Sequence, residues 1–209
     1  MIASYAKPKL AVLISGGGTT VQNLMDCIQN GELHASIEVV ISSRPDAFGV
    51  ERAKQQGLPV QVITPHPRGD FSDRVFAAIR AANVDLVIMG GWLQLLPIPD
   101  DFRQRVLNIH PSLLPAFGGR GMYGHHVHEA VFASGVKVSG CTVHFVDDTY
   151  DTGPIILQRA IDISHCQTPA EIAAEVFMEE CLTYPDAIGL IASGKWRVEG
   201  RRVFEARQF

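Results

Sequence analysis

The stretch LAVLISGGGTTVQNLM, residues 10–25, decides the fold prediction for this chain. Its first five residues are all apolar, which is typical of a strand buried on both faces of a parallel sheet. Three glycines follow, after which Val21, Leu24 and Met25 recur at helical spacing. A strand, a glycine turn and a helix in this order begin a βαβ unit.

The same alternation of strands and helices continues through the first half of the chain and predicts right-handed crossovers in a parallel sheet. After residue 135 the pattern changes, and the alternating segment 136–146 and the run 155–163 predict an antiparallel extension. A helix over 168–191, interrupted at Pro185, and a hairpin around Glu199 follow. The other predicted strands are 37–41, 60–63, 86–89 and 106–109, and the other predicted helices are 46–56 and 72–82. We therefore predict an α/β protein with a Rossmann-like, mostly parallel twisted sheet, helices on both faces, an antiparallel C-terminal extension and a long C-terminal helix.

Composition narrows the class of protein. The chain has 209 residues and a formal net charge of −4, which favours one domain and shows no basic footprint for nucleic acid. No apolar run approaches the ~18 residues of a membrane span. The first apolar run is too short for a signal peptide, and glycines follow it where a cleavage site would be. The four cysteines form no C-x-x-C pair, so we expect reduced thiols and a cytoplasmic protein.

The glycine turn predicts an anion site. Glycines allow a ligand close to the backbone, and a helix N-terminus offers free N–H groups and a positive partial charge. The residues concerned are Gly16, Gly17, Gly18, Thr19 and Thr20. A Walker A loop needs Lys at position 19 and a dinucleotide fingerprint needs Gly at Val21, so phosphate is the expected ligand. A tight turn that merely requires glycine is the alternative.

Polar residues at two strand ends form a candidate catalytic set. Asn108 and His110 end the predicted strand at 106–109 and point to one face, because they are two residues apart. An amide donor beside an imidazole suits the oxyanion of an acyl transfer. Asp151 precedes a stiff turn and is a candidate carboxylate, although turn acids are usually only solvated.

Two other features have a functional and a structural interpretation. Glu180 lies within the apolar stripe of the long helix, where an unpaired charge is costly, so it is either in a salt bridge or in contact with a cationic ligand. His125, His126 and His128 suggest a metal, but on a helix they do not share a face. We therefore expect no metal site.

Taken together, these motifs resemble the phosphoribosylglycinamide formyltransferase family of the folate-dependent formyltransferase superfamily. The resemblance is strongest in VLNIHPSLLPAFGGRGMYGHHVHEAV at 106–131 and GCTVHFVDDTYDTGPIILQ at 140–158. LISGGGTTVQNL and DLVIMGGWLQLLP agree with it, so that it covers nearly the whole chain. It implies a single domain over 1–209, with a nucleotide-binding half at about 1–105 and a catalytic and folate-binding half at about 106–209. It also implies a monomer or homodimer.

The resemblance implies a reaction in purine biosynthesis. The amine of glycinamide ribonucleotide attacks the formyl carbon of 10-formyltetrahydrofolate, the co-substrate, and no metal takes part. The implied roles are oxyanion stabilisation by Asn108 and His110, proton transfer by His110, orientation by Asp151 and support by His144. Further implied contacts are the substrate phosphate with Gly16 to Thr20, the amine end of the substrate with Glu180, folate with Leu93, Leu96, Val146, Asp147 and Asp148, and a flap contact through Arg120.

Departures from the family pattern and rival functions remain. Family members often have Asn-Gly-Ser-Asn at 17–20, so here we expect backbone N–H groups to hold the phosphate, and Gln94 replaces a common Arg. We expect neither the RNA-binding domain of methionyl-tRNA formyltransferase nor the regulatory domain of formyltetrahydrofolate hydrolase. The alternatives are a sugar-nucleotide N-formyltransferase, a non-catalytic nucleotide- or folate-binding module, and a metal-dependent hydrolase.

Overall fold

The computed structural model describes residues 5–66 and 69–206. It contains one nine-stranded sheet flanked by helices on both faces, which confirms the predicted architecture. The strands are β1 (Lys9–Ile14), β2 (Ser36–Ser42), β3 (Val60–Val62), β4 (Leu86–Met89), β5 (Val106–His110), β6 (Val138–Phe145), β7 (Ile155–Asp162), β8 (Trp196–Glu199) and β9 (Arg202–Glu205). The α-helices are α1 (Thr19–Gln29), α2 (Phe48–Gln55), α3 (Phe71–Ala81), α4 (His125–Ser134) and α5 (Pro169–Ala192).

The order of the strands fixes where a ligand can bind. The sheet runs β3-β2-β1-β4-β5-β6-β7-β9-β8, with β1 to β5 parallel and β6 and β7 antiparallel. Strands β2 and β3 lie on one side of β1, whereas β4 and β5 lie on its other side, so the strand order switches between β1 and β4. Open α/β sheets bind ligands at the carboxyl ends of the strands beside such a switch point. Here the loops after β1 and β4 are joined, because Ser15 N–H donates to Gly91 O at 3.1 Å.

Two apolar layers cover the sheet. On one face, Leu10, Val12 and Ile14 of β1 pack with residues of α1, α2 and α5. On the other face, Ala11 and Leu13 pack with α3 and with the segment that follows β4. Every residue of β1 from Leu10 onward is fully buried, as its unbroken apolar run predicts. Among the described residues, no helix has the length and hydrophobicity that a membrane crossing needs.

Helix α5 corrects one expectation. The helix continues without a break through Pro185, where we predicted an interruption. Pro185 has no N–H for the carbonyl of Cys181 one turn earlier. The side-chain amide of Asn23, on α1, donates to that carbonyl at 2.9 Å. The hydrogen bond that proline removes is therefore replaced from a neighbouring helix.

Tyr184 fixes α5 to the sheet next to the site. Its buried hydroxyl lies 3.0 Å from the O atom of Met89, the last residue of β4, and 2.9 Å from the O atom of Leu107, within β5. Both carbonyls accept, so the single hydroxyl proton is shared between them. Glu180 lies one helical turn before Tyr184 and is thereby held against the same edge of the sheet.

Candidate functional site

A cleft of about 570 Å³ lies at the carboxyl ends of the parallel strands. Its wall is formed by the glycine loop after β1, the loop after β4, the end of β5, the segments 119–124 and 146–151, and one side of α5. The packing of the surrounding elements divides the cleft into two sides. Trp92, Leu96 and Val146 belong to the apolar layer on one face of the sheet, whereas α1 and α5 cover the opposite face. The cleft therefore extends around the edge of the sheet.

The glycine loop forms one end of the cleft. Gly18 has φ of +69°, and a Cβ added there would lie 2.6 Å from the Cα of Gly49. Gly49 N–H also donates to Gly16 O at 3.0 Å, so the start of α2 packs directly on the loop. In the described part of the chain, no side chain caps the start of α1. Its first N–H groups are available to an anion in the cleft, together with the positive end of the helix.

Asn108 and His144 form a pair across neighbouring strands. They are register partners on β5 and β6, and Asn108 Nδ2 lies 3.1 Å from His144 Nε2. His144 Nδ1 donates to Phe145 O at 2.8 Å, since a carbonyl only accepts. With its proton on Nδ1, the ring accepts from Asn108 through Nε2. This contact orients the Asn108 amide so that its second N–H remains for the cleft.

His110 is buried at the end of β5, and its hydrogen bonds assign its ring nitrogens. Nε2 lies 2.8 Å from Phe117 O and must be the donor there. Nδ1 faces Asp151, with 3.5 Å between Nδ1 and Oδ2. Burial lowers the pKa of His110, although Asp151 and the Phe117 carbonyl offset part of the effect. A neutral His110 therefore has its lone pair on Nδ1, at the side of the carboxylate.

Asp151 completes the cluster from a strained turn. Its φ is +59°, a conformation that non-glycine residues rarely adopt. Oδ2 accepts from Gly119 N–H at 2.9 Å, while Oδ1 lies 3.6 Å from His144 Nε2. Burial alone would raise the pKa of Asp151, but the Gly119 N–H and positive charge on the His144 and His110 imidazoles outweigh burial and hold that pKa below its usual value. The carboxylate is thus ionised beside two imidazoles.

The structure brings together most of the residues expected to contact folate. The cleft wall includes Leu93, Leu96, Val146 and Asp147. Asp147 accepts from the Thr152 hydroxyl at 2.8 Å, which fixes the loop that carries Asp151. Asp148, expected at the same site, is exposed and does not line the cleft. Asp147 and Asp148 therefore do not both face a ligand in this cleft.

Glu180 lines the cleft from α5 and is half-buried. No hydrogen bond or ion pair to its carboxylate occurs within residues 5–66 and 69–206, so the alternative of an internal salt bridge has no support there. Burial raises the pKa of Glu180 to about 8. Ionising the carboxyl group of Glu180 therefore has a desolvation cost, which a bound ligand with a hydrogen-bond donor or a positive charge would reduce.

The segment 117–124 forms a flap beside the cluster. Four of its residues have positive φ, namely Phe117, Gly119, Gly121 and Gly124. Arg120 is exposed and lines the cleft, where we predicted a flap contact. The flap also supplies both Phe117 O for His110 and Gly119 N–H for Asp151. The flap is therefore part of what orients the cluster.

The three histidines after the flap differ in burial, because residues at these spacings lie on different faces of helix α4. His125 and His126 are exposed, whereas His128 is buried and lines the cleft. The ligand atoms of His125, His126 and Glu129 do lie within 4.8 Å of one another. This trio is exposed and does not line the cleft, and His126 already contacts Glu129 at 3.4 Å.

Several residues of the cleft wall were absent from our expectations. They are Trp92, Tyr123, His128, Tyr150 and Phe177. Trp92 directly precedes Leu93, which we expected to contact folate, so its position in the sequence could have indicated that it lines the cleft. Its indole N–H is buried and has no hydrogen-bond partner within residues 5–66 and 69–206. The other residues had no local signal, since their positions depend on how α4, α5, the flap and the loop before Asp151 pack together.

Comparison with known proteins identifies the family of this chain. The sequence profile of the family described as formyl transferase matches residues 8–188, and the chain belongs to this family. Among its relatives, the chloroplastic phosphoribosylglycinamide formyltransferase of Arabidopsis thaliana is 37% identical over 211 residues, which is 97% of this chain and 72% of that protein. The human trifunctional purine biosynthetic protein adenosine-3 is 36% identical over 193 residues, covering 90% of this chain and 19% of that protein.

The solved structures give the same result. Glycinamide ribonucleotide transformylase 1 from Symbiobacterium toebii superimposes with a TM-score of 0.89 and 39% identity. The match covers 96% of this chain and 95% of that one. The predicted family and fold are thus confirmed, and the chain is a transferase of the formyl transferase family.

Proposed function

We propose that this chain transfers the formyl group of 10-formyltetrahydrofolate to the amine of glycinamide ribonucleotide, a step of de novo purine biosynthesis. The products are formylglycinamide ribonucleotide and tetrahydrofolate. One observation carries the proposal: an amide, an imidazole and a carboxylate meet at one point of a cleft that also contains a glycine-lined helix start. These groups are Asn108, His110 and Asp151, with His144 behind Asn108.

The ribonucleotide occupies the side of the cleft between α1 and α5. Its phosphate binds the N–H groups at Gly16 to Thr20, where the absence of a side-chain cap leaves donors free. Glu180 contacts the amine end, because the amine supplies the partner that its carboxyl group lacks. The folate occupies the other side, against Leu93, Leu96 and Val146. In this arrangement the half at about 1–105 supplies the phosphate site and the half at about 106–209 supplies the catalytic groups.

The reaction joins the two sides at the edge of the sheet. The neutral amine attacks the formyl carbon, a C–N bond forms, and the carbonyl electron pair moves to oxygen. The free N–H of Asn108 donates to this oxyanion. His110 Nδ1 accepts the proton that the amine loses, directly or through one water, because Nε2–H is already donated to Phe117 O.

Collapse of the tetrahedral intermediate completes the transfer. The carbonyl re-forms, the bond from carbon to the folate nitrogen breaks, and His110 Nδ1 returns its proton to that nitrogen. Asp151 stabilises the imidazolium between these two events, as an ionised carboxylate 3.5 Å from Nδ1 can do. No other proton carrier is needed, and the active site returns to its starting state.

The test is a coupled assay of both substrates. The protein is incubated with 10-formyltetrahydrofolate and glycinamide ribonucleotide, and folate deformylation is followed by absorbance. We expect turnover that requires the ribonucleotide and survives EDTA. A rate that is the same without the ribonucleotide indicates a hydrolase. Binding of both ligands without turnover indicates a binding module. Turnover with an amino-sugar nucleotide in place of the ribonucleotide indicates the sugar-nucleotide class.

A further inference from the structure

The starting point is a buried polar atom without a partner. His128 lies on α4 and is 7% exposed, and its Nδ1 is enclosed with no hydrogen-bond partner among the described residues. Most buried polar side-chain atoms in proteins have a partner, and leaving one unpaired has a free-energy cost. The rest of α4 does not require a histidine here, because its other buried residues are Val127 and Val131.

The position of His128 in the cleft wall indicates that its ring can contact a ligand. It lines the cleft near the side formed by α5, where Ala173, Phe177 and Glu180 are the lining residues. It is also close enough to His110 for their charges to interact. His128 is thus the contribution of α4 to the cleft wall, near the proton-transfer group.

The state of the ring limits the ligand. Burial lowers the pKa of His128, and His110 lowers it further, so the ring is neutral at physiological pH. Because Nδ1 is enclosed, Nε2 is the nitrogen left for a ligand. A neutral ring with its proton on Nε2 is a hydrogen-bond donor without charge. Such a donor suits a hydroxyl or carbonyl oxygen, whereas a phosphate is better held by the glycine loop.

We infer that His128 is a further substrate-binding residue, whose Nε2–H donates to an uncharged oxygen of the ribonucleotide between its phosphate and its amine. The inference rests on the proposed function, which places these two ends of the substrate at the glycine loop and at His110. Two groups of the substrate carry such an oxygen: the hydroxyls of the ribose and the carbonyl of the glycinamide. Their shared chemistry is a neutral acceptor.

The experiment compares His128→Leu, which removes the donor, with His128→Gln, which keeps an N–H donor. For His128→Leu we expect a rise of about tenfold in the KM of glycinamide ribonucleotide, corresponding to one neutral hydrogen bond. The KM of the folate should stay within about twofold. His128→Gln should recover part of the loss. His125→Leu is the matched control, because His125 is exposed on the same helix and does not line the cleft.

Inhibition by ribose 5-phosphate identifies the oxygen. If the Ki of ribose 5-phosphate rises in His128→Leu as much as the KM does, the contact is with a sugar hydroxyl. If that Ki is unchanged while the KM rises, the contact is with the glycinamide carbonyl. Calorimetric binding of glycinamide ribonucleotide to each variant gives the same comparison without turnover. It therefore tests His128 even if the wild-type protein catalyses a different transfer.

Three results overturn the inference. An unchanged KM for the ribonucleotide in a folded His128→Leu variant shows that the ring does not touch it. An equal rise in both KM values shows a general disturbance of the cleft. A shifted pH profile of kcat with both KM values unchanged shows that His128 only positions or tunes His110. If His128→Leu does not fold, the same readouts on His128→Gln and His128→Asn decide the matter.

Discussion

Asp151 is the residue whose conformation and chemistry are most closely linked. Its positive φ turns the carboxylate toward two imidazoles, and the Gly119 N–H fixes one of its oxygens. A carboxylate in this position is expected to stabilise positive charge on His110 during proton transfer. The free-energy cost of the backbone strain is of order 1–3 kcal/mol and must be met by the surrounding contacts.

Asp151→Asn tests this role with little change in structure, since asparagine tolerates positive φ and its oxygen can still accept from Gly119 N–H. We expect kcat to fall at least about 100-fold. The carboxylate raises the pKa of His110, so its loss should move the acid limb of kcat/KM to lower pH. Exposed Asp148→Asn is the control. A kcat within about threefold of wild type for Asp151→Asn contradicts a catalytic role.

Glu180→Gln should separate stability from binding. The pKa of Glu180 rises from 4.5 to about 8 on folding, so the unfolded chain releases this proton at lower pH than the folded protein does. Ionisation therefore destabilises the fold increasingly between about pH 4.5 and pH 8, and the wild type is relatively most stable below that range. At pH 9, Glu180→Gln should raise the free energy of unfolding by on the order of a few kcal/mol, which raises the melting temperature by several degrees. At pH 4 it should have no effect.

The same Glu180→Gln variant should bind the ribonucleotide more weakly, because the carboxylate is the proposed partner of its amine. Melting curves at pH 4, 7 and 9 and the KM of the ribonucleotide measure the two effects. Exposed Glu175→Gln on the same helix is the control for stability. Melting curves that do not differ from wild type at any pH would show that Glu180 is solvated.

At the scale of elements, the packing of the glycine loop on α2 depends on the close approach of Gly18 to Gly49. Gly18→Ala places a methyl group 2.6 Å from the Cα of Gly49, at a φ that alanine rarely adopts. We expect a loss of about 2 kcal/mol or more and a higher KM for the ribonucleotide, since the loop must move. Gly17→Ala has open space around its Cβ and should keep its unfolding free energy within about 0.5 kcal/mol. Equal unfolding free energies for the two variants contradict this packing.

Helices α1 and α5 are coupled through the carbonyl that Pro185 leaves unpaired. Asn23→Ala should destabilise the protein by about 1–2 kcal/mol, since Cys181 O then loses its donor. In a Pro185→Ala background the residue at 185 can supply an N–H, so the cost of Asn23→Ala should shrink. Denaturant unfolding of the four proteins in this cycle gives the coupling. Strict additivity of the two changes would show that the amide does not replace the missing bond.

The elements also show where local sequence signals were sufficient. Strand β4 at 86–89 has the predicted bounds, because a continuous apolar run between turn residues leaves little choice. Helix α4 was not assigned, since Val127 and Val131 give a short stripe and the histidines suggested other interpretations. Gly135, which ends α4 with φ of +72°, was the usable signal. The break expected at Pro185 was wrong because a contact 158 residues away in sequence replaces the hydrogen bond.

For the whole molecule, the proposed binding of both substrates in one cleft predicts the order of events. Its described lining contains no cysteine, serine or lysine, and we assign its imidazoles at 110 and 144 to proton transfer and to orienting Asn108. Direct transfer in a ternary complex is therefore expected, and initial-rate plots should intersect. Incubation with labelled formyl donor alone should leave the protein unlabelled. Parallel rate plots together with a labelled protein would indicate a covalent intermediate.

The family, the fold class and the donor class agree with what the sequence predicts, whereas other properties of the molecule remain predictions. The folate-derived nature of the formyl donor follows from the family. The 10-formyl form of the donor, the absence of a metal, a monomer or homodimer and a cytoplasmic location are still predictions. The Arabidopsis relative is chloroplastic by name, so the compartment differs among relatives.

The sequence alone determined the order of elements, the glycine turn and the residues that carry the family resemblance, because periodicity and short motifs are local properties. The tertiary structure decided which ring nitrogen carries a proton, which acid faces the cleft and which buried atom lacks a partner. These depend on contacts such as that between Asn108 and His144, 36 residues apart. The physical reason is that desolvation and hydrogen bonding are set by the neighbours a group acquires on folding, and a chain read residue by residue does not specify them.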